Sequence, residues 1–317
     1  MEELEEQLEG QADDFEDAEA DDFASLSSED LRRAPIGVFD SGFGGLTVAR
    51  EIVKALPHES ILYLGDSARC PYGPRTLYEI RQFVRQICSW LVSRGVKMIV
   101  IACNTATAAG LDQAQKLFPV PVLGVVQPGA RAAAAWTTNK RVGVIATKAT
   151  VESGVYTEGI RTIDPSITVY STATPRFVEI AEMGVRMADG PIEDFTSQAS
   201  KVYIRAPFQE IARDYLEPMR RMDVDTLVLG CTHFPLIKAL IGGIVGRNVK
   251  LISSAEAVVE DVAAALKDFD LAAGRDVVPV HDFYTTGQNV EQFKRFGSRV
   301  FQHPLENVQH VDLPPLP

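Results

Sequence analysis

The chain has 317 residues, more than one compact core usually holds, so two domains of ordinary size are expected. With 46% apolar and 23% charged residues it has ordinary globular composition, and no run approaches the roughly 18 apolar residues of a membrane span. Residues 1–31 hold 14 acids and no base; taking these 14 from the 43 acids of the chain leaves 29 against 31 Lys and Arg, so the net charge of −12 hides a near-neutral body with no bias toward nucleic acid or membrane. In chain order, residues 1–33 read as an acidic, disordered tail without an apolar period. An acidic N-terminus is neither a secretory signal nor a basic transit peptide, so a cytoplasmic protein is expected. From Pro35 onward, short apolar runs alternate with helical stretches. The runs are Ile36–Phe39, Ser60–Leu64, Lys97–Ala102, Pro121–Val125, Arg141–Ala146, Ile167–Tyr170, Thr226–Leu229 and Val249–Ile252. Unbroken runs suit parallel strands buried on both faces. The helical stretches include Leu46–Leu56, Leu77–Ser93, Ala106–Leu117, Glu152–Ile163, Phe208–Arg221 and Ala255–Lys267. This alternation implies βαβ units and an α/β fold.

Ligands of open α/β sheets bind beyond the carboxyl ends of the strands. There the sequence places Asp40-Ser41-Gly42-Phe43-Gly44-Gly45, Gly65-Asp66-Ser67-Ala68-Arg69-Cys70-Pro71-Tyr72-Gly73, Cys103-Asn104-Thr105, Thr147 and Gly230-Cys231-Thr232-His233. Two of these ends carry a cysteine. The segments Val100–Thr105 and Val228–His233 share one apolar–apolar–small–Cys–polar–polar pattern. Two related lobes, each supplying one cysteine, would produce that echo.

A cysteine at a helix start lies near the positive end of the helix dipole, which favours thiolate. Two thiols across a cleft, one ionised and one not, suit stereoinversion. One removes an α-proton and the other returns a proton on the opposite face. Helix-start amides, Ser41, Asn104, Thr105 and Thr232 suit the substrate carboxylate and the developing carbanion. Asp40 and His233 are the titratable groups nearest these loops in sequence.

Other readings of the same residues stay open. Cys231-x-His233 with Cys103 could ligate zinc, although zinc wants a closer cluster and more ligands. A cysteine hydrolase would leave the second cysteine unexplained. A nucleotide-binding module at Ser41–Gly45 would fit neither GxGxxG nor the Walker pattern, and no Lys follows. Cys88 reads as helix core and Cys70, beside Pro71, as structural. Arg69 reads as a structural ion-pair former.

The stretches Gly37–Leu46, Gly65–Arg69 with Pro71-Tyr72-Gly73, Ala102–Ala106 and Leu229–Leu236 together resemble the glutamate racemases. The resemblance spans Ile36 to about Leu313. It implies two similar open parallel-sheet α/β lobes with the active site in the cleft between them: residues 34–128 plus 260–317 in one, 129–259 in the other. It implies cofactor-independent interconversion of L- and D-glutamate, supplying D-glutamate for peptidoglycan. Cys103 would take the proton from D-glutamate, with Asp40 assisting, and Cys231 from L-glutamate, with His233 assisting. Glu182 stands where a further family acid is expected. Ser41, Tyr72, Gly73, Asn104, Thr105, Thr147 and Thr232, together with Asp40 and His233, would contact the substrate. No metal, no nucleic acid and no membrane are expected, and a homodimer is. Aspartate racemases share the two-cysteine logic, so the substrate rests on the resemblance alone. Three features depart from the family pattern: a longer Gly184–Pro207 segment, Ala146 in place of Gly, and Thr174 in place of a frequent Cys.

Overall fold

The computed structural model describes residues 27–315. The expected disorder of the acidic tail therefore lies, for residues 1–26, outside the described residues. Residues 28–33 belong to that expected tail but form a short helix, α1 (Ser28–Arg33). Ser27 caps it through the Asp30 amide, acids fill its first turn, and Arg32 and Arg33 fill its last. That charge order suits the helix dipole. Arg32 then pairs with Asp270 at 2.5 Å, which ties the helix to the body.

Among the described residues, ten strands form two sheets. The first contains β1 (Ile36–Asp40), β2 (Ile61–Gly65), β3 (Met98–Ile101), β4 (Val122–Gly124), β9 (His281–Thr285) and β10 (Val308–His310). Its order is β10-β9-β2-β1-β3-β4. The second contains β5 (Arg141–Ala146), β6 (Thr168–Ala173), β7 (Thr226–Gly230) and β8 (Lys250–Ser253), in the order β6-β5-β7-β8. Every pairing is parallel. Parallel pairing needs crossover helices, which cover both faces and make the central strands continuously apolar. β1, β2, β3 and β7 are buried at every residue. The strands β8, β9 and β10 are only partly buried, and so is β6, which lies at an edge, where its Thr168, Ser171 and Thr172 need no dry face.

In the first sheet the crossovers are α2 (Leu46–Ala55), α3 (Leu77–Ser93) and α4 (Asn104–Leu117). Thr76 and Glu79 start α3 with a reciprocal capping box. The chain passes to the second sheet through α5 (Val126–Trp136). The predicted helix at Glu152–Ile163 is two: α6 (Lys148–Glu152) and α7 (Val155–Ile163), broken at Gly154, where φ is +71°. A left-handed residue ends one helix and begins the next.

After β6 come α8 (Arg176–Met187), α9 (Phe195–Tyr203) and α10 (Ala206–Arg221). The long segment at 184–207 thus ends α8, makes a 3-10 turn at Ile192–Asp194 and forms α9, which buries Phe195, Ala199, Val202 and Tyr203, before α10 begins. The Tyr203 ring lies so close to Gly184 that a Cβ there would overlap it. After β7 a 3-10 turn, Phe234–Ile237, leads into α11 (Lys238–Val245). The return crossing is α12 (Ser254–Asp268), and α13 (Val290–Phe301) follows β9.

Candidate active site

The carboxyl ends of β1, β3, β5 and β7 converge on one small cavity of about 30 Å³, lined from both sheets. Cys103, Cys231, Ser41, Tyr72, Gly73, Asn104, Thr105, Thr147, Thr232 and His233 all line it. Of the residues singled out in the sequence, Asp40 and Glu182 do not. Asp40 is fully buried beneath it, and Glu182 lies in a larger neighbouring groove with Arg186.

The two thiols are placed differently. Cys103 caps α4, and the amides of Thr105 and Ala106 point toward its sulfur. Burial pushes this thiol well above its ordinary value; the Asp40 and Cys231 charges add to that, and the two amides oppose it. Cys231 precedes only the 3-10 turn at Phe234–Ile237, so the helix-start reasoning applies to Cys103 alone. Beside Cys231 stands a side chain in place of a dipole: the His233 Nδ1 lies 3.9 Å from its Sγ. On the far side of the ring, Nε2 is 3.5 Å from Glu182 Oε1, an ion-pair contact rather than a formed hydrogen bond. Burial opposes a charge on His233, but the contacts with Cys231 and Glu182 outweigh it and raise its proton affinity. Burial also disfavours the charged form of Glu182; His233 and Arg186 (2.9 Å from Oε2) outweigh this and hold the carboxyl below its ordinary value.

Asp40 ends β1. Burial raises its pKa, and the His233 charge, the Gly45 and Gly42 amides and the Thr232 hydroxyl only partly offset this. Thr232 donates to Asp40 Oδ1 at 3.2 Å, and Thr47 donates to the Thr232 carbonyl at 3.1 Å. Both bonds join the first sheet's β1 end and α2 to the loop after β7 of the second sheet. The glycine-rich turn between them is explained by close approach. A Cβ on Gly44 would sit 2.6 Å from His233 Cε1 and 2.7 Å from Thr232 Oγ1, and one on Gly45 would overlap Asp40. Gly44→Ala is therefore expected to cost about 1–3 kcal/mol by pushing the loop or the lobes apart. Denaturant unfolding reads this directly, and an unchanged midpoint would contradict the packing.

The remaining lining is hydroxyl and amide. Thr105, Thr147 and Thr150 form a triangle of hydroxyls at 2.9, 3.0 and 3.1 Å. Gly73 lies against Thr147, where a Cβ would stand 3.2 Å away. Tyr72 donates to Asp66, which is fully buried and also accepts from Arg69 at 2.7 Å and Thr286 at 2.8 Å. Arg69 thus braces the Tyr72 loop by an ion pair. Burial, with the neighbouring Asp66 carboxylate, holds the Tyr72 phenol neutral.

Sequence reasoning missed several participants. Cys70 lines the cavity as a third thiol rather than lying apart from it, and burial pushes it up to about 12. Val178, Thr150, Tyr156 and Ser254 also line the cavity or contact its lining. Cys70 and Ser254 carried a signal, since each follows a strand end. Among the described residues, no group of three or more His, Cys, Asp or Glu is arranged to hold a metal ion, and no helix is long and apolar enough to cross a membrane.

The sequence model of the Asp/Glu/Hydantoin racemase family matches residues 36–262. A glutamate racemase of Exiguobacterium sibiricum is 44% identical over 86% of this chain and 93% of its own length. One from Bacillus cereus is 43% identical over 89% and 98%. The crystal structure of a Bacillus anthracis glutamate racemase superposes with a TM-score of 0.79 at 37% identity, covering 89% of this chain and 99% of that one. A Francisella tularensis glutamate racemase in complex with D-glutamate gives 0.77 at 33%, covering 89% and 98%. The chain belongs to this family of isomerases, among its glutamate racemases.

Proposed function

We propose that the protein interconverts L- and D-glutamate by a two-base reaction between Cys103 and Cys231. The observation that carries this reading is the meeting of two thiols from different sheets in one small, hydroxyl-lined cavity. As thiolate, Cys231 takes the α-proton of L-glutamate, leaving a carbanion. Cys103 gives its S–H proton to the opposite face, forming D-glutamate and leaving its own thiolate. The reverse reaction exchanges the roles. Charge on the intermediate spreads into the substrate carboxylate, where Ser41, Asn104, Thr105, Thr147 and Thr232, with the Tyr72-Gly73 loop, offer donors. His233, backed by Glu182, offers a counter-charge to Cys231. Asp40 serves Cys103.

The residue roles and the lobe limits, 34–128 with 260–317 and 129–259, are part of this proposal. So are a cytoplasmic setting, a homodimer and the supply of D-glutamate to peptidoglycan. The test is incubation with each enantiomer of glutamate and of aspartate in deuterated water, without cofactor and with a chelator present. Loss of optical rotation and α-deuterium uptake are expected with glutamate. No exchange into glutamate would end the reading, and exchange into aspartate alone would move it to the aspartate racemases.

A further inference from the structure

We infer that Tyr156 is a positioning residue that fixes the Asn104 amide and so aligns the two thiol loops. The inference rests on the racemase reading above. Asn104 follows Cys103, opens α4 and is 2% exposed. Its Oδ1 accepts from the Tyr156 hydroxyl at 2.6 Å, and its Nδ2 donates to Ser254 Oγ at 3.4 Å. A primary amide has one acceptor oxygen and two N–H donors. With the oxygen held and one N–H used, the second N–H is left for the cavity that Asn104 lines. Ser254 alone cannot enforce this orientation, because an alkyl hydroxyl donates and accepts alike. A phenol is the better donor, so Tyr156 selects the oxygen end.

The ring of the same tyrosine reaches the other thiol. Tyr156 belongs to α7, beside the second sheet, and is 2% exposed. A Cβ on Gly230, the residue before Cys231, would stand 3.1 Å from its Cε2. One on Gly129 of α5 would stand 3.3 Å from its Cε1. Its hydroxyl therefore holds the neighbour of Cys103 while its ring lies against the neighbour of Cys231. The ring is one of the neighbours that crowd a side chain at Gly230, with Ala146 Cβ and the Ile145 carbonyl each 3.0 Å from that Cβ position, and at Gly129, with Ser254 Cβ at 3.5 Å.

Tyr156→Phe keeps the ring and removes only the hydroxyl. It leaves the Asn104 oxygen buried without a donor and frees the amide to turn. kcat/KM is expected to fall about tenfold, equally for both enantiomers because they have equal free energy. If Tyr156 acts through Asn104, Tyr156→Phe added to Asn104→Ala costs nothing further. Additive losses would overturn the inference, since they would show a separate structural role. A second readout needs no turnover: the side-chain amide NMR signals of Asn104 shift or broaden in Tyr156→Phe. Unmoved signals overturn the inference whatever the enzyme does. Absence of racemisation by the unsubstituted protein counts against the functional reading instead, so the two failures are told apart.

Discussion

Cys103→Ala and Cys231→Ala are each expected to lower glutamate racemisation by roughly 10²–10⁴-fold while leaving the protein folded, because each removes one acid–base partner. Both side chains are small and 6% exposed, so truncation leaves little cavity. The two variants should differ in which substrate still exchanges hydrogen. On the proposed assignment, Cys231→Ala keeps the thiol that faces D-glutamate. In deuterated water that thiol removes the α-proton, exchanges with solvent and returns deuterium to the same face. D-glutamate is labelled without inversion, and L-glutamate is untouched. Cys103→Ala labels L-glutamate by the same logic. Mass spectrometry and chiral chromatography read both outcomes. Full racemisation by either variant would refute the two-base assignment, and label in the opposite enantiomer would reverse it.

Lys97→Met is expected to destabilise the fold by about 3–5 kcal/mol without touching the chemistry of the molecules that remain folded. Lys97 is fully buried, its ammonium 2.5 Å from Glu59 Oε2 and 2.7 Å from the Arg32 carbonyl. Glu59 Oε1 accepts from the Ala273 amide at 2.8 Å. Burial pulls the lysine below its ordinary value, and Glu59 opposes this by hydrogen bond and charge. The pair lies at the amino ends of β2 and β3, away from the cysteines. Removing the cation strands a carboxylate in a dry site. Lys97→Met with Glu59→Leu removes both charges and should recover most of the loss. Denaturant midpoints of the single and double variants decide it. A single variant as stable as the parent would mean that water reaches Glu59.

The buried lysine also shows what the sequence did not make legible. Lys97 sits at the head of an apolar run, and that run was read correctly as strand β3. Its partners are set by topology: Glu59 precedes β2, and Arg32 is 65 positions earlier. Eight strands were visible, most of them because crossover packing makes the central strands apolar at successive positions. β9 and β10 were not. His281-Asp282 opens β9 with two polar residues, and β10 is a three-residue edge strand whose Gln309 is exposed. The site divides in the same way. Residues at strand ends could be listed from sequence alone, because chain direction in a parallel sheet brings those ends together. Tyr156 and Thr150 lie within helices, and their importance comes only from what the fold sets opposite them; Ser254 directly follows β8 and was open to the same strand-end reasoning. Glu182 was reached by resemblance, and its distance from His233 gives that placement a physical meaning.

The chain crosses between its sheets twice, through α5 and through α12, and these two helices pack on each other. A body joined to another by two adjacent struts keeps little freedom except to swing about the line through them. The struts would confine any parting of the halves to a door-like arc. On an arc, the two sulfurs return to the same separation and facing each time the door shuts. Their alignment is then a property of the hinge as much as of the pocket. The side chains between α5 and α12, where Ser254 also touches Asn104, become the parts whose wear would first be felt at the thiols.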